Sequence, residues 1–340
     1  MSDLGIALLG SGYMGQTYAE CISKYNTRGK LVAISGGRRA PGLAANYGVD
    51  YVAEYADLLA RPDVDAVLIA TPHSLHREQV LAAAEQGKHV LVEKPMATSV
   101  SDCDAMIAAC ARAGVTLEVI QTLRFRGTPA RAKALIDDGA IGRVQMIRGQ
   151  SLGQNYVIDT ASWAALPENG GAFLDMGVHN FDIMRFWTGS EVHRVFSHVT
   201  TYGSVKAPGL SAMTQLTFTN GVAGQQWTSF EVPSAQLTTS QHRYIVVGEK
   251  GILDIDGYGK LHLSNGDRWE LVWEQPAIDF IKRPLEPARL EAFFTQTQSF
   301  IDDVLDKRPP TVSGLDGRAA VAIVEAAWES ARTGESVAPA

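Results

Sequence analysis

Four apolar residues, Ile6-Ala7-Leu8-Leu9, run directly into Gly10-Ser11-Gly12-Tyr13-Met14-Gly15, and a helical pattern through Tyr18 and Ile22 follows. Strand, G-x-G-x-x-G and helix in that order form the context in which glycines cradle a dinucleotide pyrophosphate. Gly10 permits the tight turn, Gly12 lets backbone approach the phosphates, and Gly15 lets the helix lie close to the strand. Unpaired N–H groups at the helix start, with the positive end of the helix dipole, attract the anion. Tyr13 and Met14 belong to the same cofactor-binding candidate set.

The rest of the chain shows what surrounds this turn. Up to about residue 120, short apolar runs (31–34, 66–70, 89–92, 116–120) alternate with helical patterns such as 74–85 and 101–113, the signature of βαβ units feeding a parallel sheet. A helix near 129–137 and a strand near 143–149 come next, and Asn169-Gly170-Gly171 opens a helix ending around Thr188. Residues 192–273 then hold β-rich runs broken by Asn220-Gly221 and Asn265-Gly266-Asp267, which reads as an antiparallel sheet. Two helices near 288–306 and 313–332 close the chain, the second with Ser313 and Asp316 at capping-box spacing. The expected fold class is α/β, with a Rossmann domain (a doubly wound parallel sheet) over 1–122. A C-terminal α+β domain with an open, mainly antiparallel sheet is expected over 123–340.

Composition narrows the partners. The formal charge is −7 from 30 basic and 37 acidic residues, so the basic surface needed to neutralise phosphates of a nucleic acid is not expected. No apolar run approaches the roughly 18 residues of a membrane span, and the first residues carry neither a basic flank nor a long apolar stretch for export. Cys21, Cys103 and Cys110 lack metal-ligand spacing and read as reduced thiols of a cytoplasmic protein. No cluster of His, Cys or carboxylates has metal spacing, so no metal is expected.

Ribose 2′-hydroxyl recognition calls for an Asp or Glu at the end of the second strand. Here the stretch is Ile34-Ser35-Gly36-Gly37-Arg38-Arg39, with no carboxylate. Small residues followed by two guanidinium groups leave room for a 2′-phosphate and pair with it. NADP(H) is therefore the expected cofactor, with NAD(H) possible, and Ser35, Arg38 and Arg39 join the cofactor set.

Three further segments sharpen the reading. Thr71-Pro72-His73 with His76 follows one apolar strand, Glu93-Lys94-Pro95 follows the next, and Gly170-Gly171-Ala172-Phe173-Leu174-Asp175-Met176-Gly177-Val178-His179 with Asp182 opens the later helix. Together with the glycines, these make the chain resemble the Gfo/Idh/MocA oxidoreductases over nearly its whole length. The resemblance implies a nicotinamide cofactor, sugar-like or cyclitol substrates, and a homodimer or homotetramer formed through the outer face of the C-terminal sheet. It places the family's catalytic Lys on Lys94 and its Asp and His on Asp175 and His179. It is also consistent with a cis Lys94–Pro95 bond. The departure lies at Ser35 and Gly36, where many relatives carry Asp.

The residue chemistry agrees with those roles. At 100° per residue, His179 and Asp182 fall within about 40° of Asp175 on one helix stripe. An acid beside a histidine fixes its tautomer and stabilises its protonated form. Lys94 ends a parallel strand, where open α/β sheets place ligands, and Pro95 holds it extended. Thr71, Pro72, His73, His76, Glu93 and Lys94 complete the cofactor candidates, with His73 and His76 on the nicotinamide side. Lys94, Arg124, Asn155, Tyr156, Trp163, Asp175 and His179 are the substrate candidates. The activity expected is hydride transfer between NADP(H) and a carbinol or keto carbon of a sugar, sugar derivative or cyclitol. A redox-neutral lyase or glycosidase working through transient oxidation on bound nucleotide, and a non-catalytic nucleotide-binding regulator, remain as alternatives.

Overall fold

The computed structural model describes residues 3–153, 166–203, 207–233 and 240–340. The chain forms two compact units, Met1–Phe125 with Asp279–Arg318, and Arg126–Ile278 with Ala319–Ala340.

In the first unit the apolar runs become strands β1 (Leu4–Leu9), β2 (Gly29–Ser35), β3 (Asp50–Tyr51), β4 (Ala66–Ile69), β5 (His89–Val92) and β6 (Leu117–Val119). Between them run α1 (Tyr13–Lys24), α2 (Ala40–Tyr47), α3 (Tyr55–Leu59), α4 (His76–Glu85) and α5 (Val100–Ala113). The sheet order is β3-β2-β1-β4-β5-β6, and every pairing is parallel. β1 and β4 are buried along their whole length, as expected where helices cover both faces. The order reverses between β1 and β4, which makes that crevice the ligand position of a doubly wound sheet.

The second unit contains α6 (Gly127–Asp137), β7 (Val144–Leu152), α7 (Gly171–Thr188), β8 (Val192–Thr200), β9 (Ser211–Phe218), β10 (Ala223–Ser229), β11 (His242–Gly248), β12 (Ile252–Asp256), β13 (Lys260–Ser264) and β14 (Glu270–Glu274). Among the described residues its eight strands lie in the order β14-β13-β12-β11-β7-β10-β9-β8. All neighbours are antiparallel except β7 and β10. The Asn220-Gly221 turn joins β9 to β10: Gly221 has φ +88°, and the Asn220 side chain accepts from Val222 N–H at 3.2 Å.

Two closing helices, α8 (Pro287–Leu305) and α9 (Gly314–Thr333), follow. The expectation that all of 123–340 forms one domain differs from what is observed for residues 279–318. These residues belong with the first unit because α8 supplies the cover that α1 needs. Leu290, Phe293, Phe300 and Ile301 share one core with Ile6, Tyr18 and Ile22. Polar contacts fix the same packing. Arg28 donates to Asp302 at 2.7 Å and Asp306 at 2.6 Å, and Gln296 accepts from Gln121 N–H at 3.0 Å. The capping box at α9 forms: Ser313 N–H donates to Asp316 at 2.9 Å and Asp316 N–H to Ser313 Oγ at 3.3 Å.

Candidate active site

The glycines of the first turn are required by what faces them. Gly10 has φ +117°, and a methyl group there would stand 2.3 Å from the Ala70 carbonyl oxygen. At Gly15 it would stand 2.1 Å from the Gly10 oxygen. Gly12 differs, because only the Arg39 guanidinium, at 3.9 Å, comes near its Cβ position. Gly12 is also the N-cap of α1 and offers no side-chain cap, so the first-turn N–H groups of α1 depend on another acceptor. Met14 packs against the core. Tyr13 is held from outside the turn, its hydroxyl donating to Phe280 O at 3.0 Å and its ring lying 4.6 Å from the Arg289 guanidinium.

At the end of β2, Ser35 is buried, and its hydroxyl oxygen has no partner among the described residues. Ser11 Oγ donates to Gly36 O at 2.8 Å and draws this loop against the glycine turn. Arg38 and Arg39 are both exposed, and Arg39 is the one that reaches Gly12. An uncapped helix start, a turn lined by bare Cα atoms with the Arg39 guanidinium near Gly12, and an orphaned buried hydroxyl at Ser35 fit a dinucleotide with its pyrophosphate at Gly12 and its ribose toward Ser35.

The loops after β4 and β5 are tied to each other. Thr71 Oγ1 donates to Gln79 at 2.5 Å, and Pro72 leads into a short 3₁₀ turn, His73–Leu75. His76 was expected on the nicotinamide side, but the structure uses both of its ring nitrogens internally. Nδ1 lies 3.0 Å from Pro95 O and Nε2 2.9 Å from Thr71 O, and the residue has no exposed surface. Burial pulls its pKa below the ordinary histidine value. His76 therefore braces the loop that carries Lys94. His73 is also buried, its ring centre 5.8 Å from that of His76.

Glu93 is buried and joins two elements. Its Oε1 accepts from Tyr18 OH at 2.5 Å and its Oε2 from Lys94 N–H at 2.9 Å, so the carboxylate links α1 to the turn after β5. Burial, and next the Glu93 charge, hold the Tyr18 phenol well above its usual range. Lys94 is half-buried and its bond to Pro95 is cis.

In the second unit, Gly170 and Gly171 have φ +82° and +76°; these left-handed conformations suit glycine and turn the chain into α7. Asp175 and His179 stand one turn apart on that helix, Asp175 buried and His179 half-buried. Asp182, on the same stripe, is paired with Arg185 at 3.6 Å, and Arg185 also donates to Glu191 at 2.7 Å. Gly177 gives α7 close access to α9, since a methyl group there would meet Val324 at 2.9 Å. Behind the pair, Asn180 donates to Thr228 and accepts from Tyr244 OH, each at 3.0 Å.

Among the substrate candidates, Arg124 donates to Asp316 at 2.9 Å within the first unit. Asn155, Tyr156 and Trp163 lie outside the described residues. Among the described residues no group of three His, Cys, Asp or Glu could hold a metal ion. No described helix is long and apolar enough to cross a membrane.

Residues 4–121 match the NAD-binding Rossmann-fold domain of the Gfo/Idh/MocA oxidoreductases, and residues 133–338 match their C-terminal alpha/beta domain. The chain belongs to the Gfo/Idh/MocA family. It is 28% identical to scyllo-inositol 2-dehydrogenase (NAD(+)) of Bacillus subtilis, over 97% of this chain and 95% of the relative. It is 27% identical to 2,7-anhydro-N-acetylneuraminate hydratase of Mediterraneibacter gnavus, again over 97% and 95%. Among solved structures, aldose-aldose oxidoreductase from Caulobacter crescentus, complexed with glycerol, superposes with a TM-score of 0.86 at 29% identity, covering 99% of both chains.

In this member of the Gfo/Idh/MocA family, sequence reasoning missed Tyr18 and Arg289. Tyr18 meets Glu93 across 75 positions, and Arg289 donates to Thr17 Oγ1 at 3.0 Å across 272. A polar residue on the apolar face of a predicted helix was the available signal for both.

Proposed function

We propose that this chain transfers a hydride between NADP(H) and a carbinol or keto carbon of a sugar, sugar derivative or cyclitol. The observation that carries this reading is the cradle at the β1–β4 crevice: an uncapped α1, bare Cα atoms at Gly10 and Gly12, and the Ser35 hydroxyl and Arg39 where a ribose carboxylate ligand would otherwise stand. The inositol dehydrogenase relative supports the substrate class. When bound, the nicotinamide supplies the hydride acceptor or donor.

The residues around it manage the proton and the charge. In oxidation, His179 accepts the substrate hydroxyl proton, and Asp175, one turn before it, orients the ring and stabilises its charged form. Lys94 supplies a hydrogen-bond donor that stabilises developing alkoxide charge. In reduction the proton returns from His179 to the carbonyl oxygen. His76 and Glu93 hold the Lys94 turn in place.

Replacing Arg38 and Arg39 together by Ala tests the cofactor assignment. KM for NADP(H) should rise far more than KM for NAD(H), and equal changes would refute it. A panel of sugars, keto-sugars and cyclitols, followed at the reduced-nicotinamide absorbance band, then tests the substrate class. The hydratase relative favours a second reading, redox-neutral turnover on tightly held nucleotide. That reading gives product with no net change in absorbance.

The protein works, in this proposal, as a cytoplasmic homodimer or homotetramer that pairs the outer face of the C-terminal sheet. Met146, Phe196 and Met213 on its strands are each about half exposed, at 52%, 48% and 48%, more apolar surface than a solvated sheet face needs.

A further inference from the structure

A second polar hollow lies in the second unit, at the start of α6. A methyl group on Gly127 would find three side-chain atoms around it: Trp273 Nε1 at 3.4 Å, Gln275 Oε1 at 3.6 Å and an Arg131 guanidinium nitrogen at 3.7 Å. A methyl group there would fill the gap between these three atoms at ordinary contact distances, and glycine leaves it unfilled. Gln275 is 5% exposed, and neither its amide nitrogen nor its amide oxygen has a partner among the described residues. The Trp273 indole nitrogen is likewise buried and unpartnered. Native proteins rarely leave such groups unsatisfied, and an amide with both ends idle in one hollow points to something that enters it.

The chemistry of the rim is one-sided. An indole N–H and a guanidinium only donate, and an amide can turn its NH₂ inward. Gly127 is the first residue of the 11-residue α6, which has no side-chain cap; with Pro129 carrying no N–H, the open first-turn donors are those of Gly127 and Thr128, at the positive helix end. None of the three atoms nearest the Gly127 position is a carboxylate oxygen. Arg131 is exposed and its guanidinium carbon lies over the Trp273 ring, 3.5 Å from its centre. Thr128 Oγ1 and Gln275 N–H both donate to Gly259 O, at 2.8 and 3.0 Å, and so tie the start of α6 to the segment that carries Gln275.

We infer that this hollow is a binding site for a small oxyanion, the carboxylate or phosphate group of a ligand, held by Trp273, Gln275, Arg131 and the α6 N-terminus. The site is separate from the Asp175–His179 pair. Trp187 Nε1 donates to Pro129 O at 3.1 Å, and Trp187 lies eight residues beyond His179, about 12 Å along α7. The inference therefore does not rest on the proposed hydride transfer.

The test uses the indole N–H resonances of the full chain, which has 6 tryptophans, with Trp273 assigned by Trp273→Phe. Inorganic phosphate and acetate are titrated separately against sodium chloride at matched ionic strength. The Trp273 resonance should shift saturably with at least one of them. A response to phosphate alone identifies a phosphate ligand, and a response to acetate a carboxylate. Gly127→Ala should abolish the shift, and Gln275→Leu, which keeps the side-chain volume, should weaken binding at least about tenfold. A resonance that moves no more than in chloride, or a shift that survives Gln275→Leu unchanged, would overturn the assignment.

Discussion

His179 owes its proposed role to its surroundings on α7, with Asp175 a turn before it and Asn180 anchoring the helix to Thr228 and Tyr244. His179→Ala should lower kcat by roughly 10²- to 10⁴-fold, the usual contribution of one acid–base group, with little change in cofactor affinity measured by fluorescence titration. Glu118 gives a second residue-scale prediction. It is fully buried on β6, and its Oε2 has no partner among the described residues. Burial pushes its pKa up to about 8, while Gln296 and Arg124 pull the other way. The folded state thus holds a proton that the unfolded state releases near pH 4.5. That contribution to stability is complete below the unfolded value and is lost as pH rises to about 8. Each pKa unit corresponds to about 1.4 kcal/mol. Glu118→Gln should therefore gain urea resistance over the parent progressively from pH 5 to 8 and hold a constant advantage above. An advantage independent of pH would contradict the buried-proton account. Residues with short-range signatures, such as the glycines and Lys94-Pro95, could be read directly from the sequence. His76 and Glu93 could be read only as candidates, because their partners come from other loops and helices.

Elements were legible where one segment carries its own instructions. The short apolar runs pointed to β1, β4 and β5, and the Ser313–Asp316 spacing to the start of α9. Ser313→Ala should cost about 1 kcal/mol, the usual value of an N-cap, seen as a lower denaturation midpoint with unchanged slope. The Ser313→Thr variant, which keeps the hydroxyl that donates to Asp316 at 2.8 Å, should recover most of that loss. The parallel contact of β7 with β10 was not legible, because pairing depends on register between distant segments. Nor did the sequence announce β3, whose two residues are both exposed and follow no apolar pattern.

At the scale of the molecule, the order of units is not the order of the chain. A fragment ending at residue 125 would lack Leu290, Phe293, Phe300 and Ile301, all buried in the first unit's core. Burying each such side chain is worth about 1.5–3 kcal/mol, so their joint loss approaches the whole 5–15 kcal/mol stability typical of a domain. Such a fragment should show no cooperative thermal transition by circular dichroism, and adding residues 279–318 through a flexible linker should restore one. Independent folding of residues 1–125 would contradict this view of α8. The same arrangement bears on biosynthesis. As the chain leaves the ribosome, the nucleotide-binding half must wait, with one side of α1 bare, while the entire second sheet is translated. The oxidoreductase therefore completes its nucleotide-binding unit only after α8 has been translated.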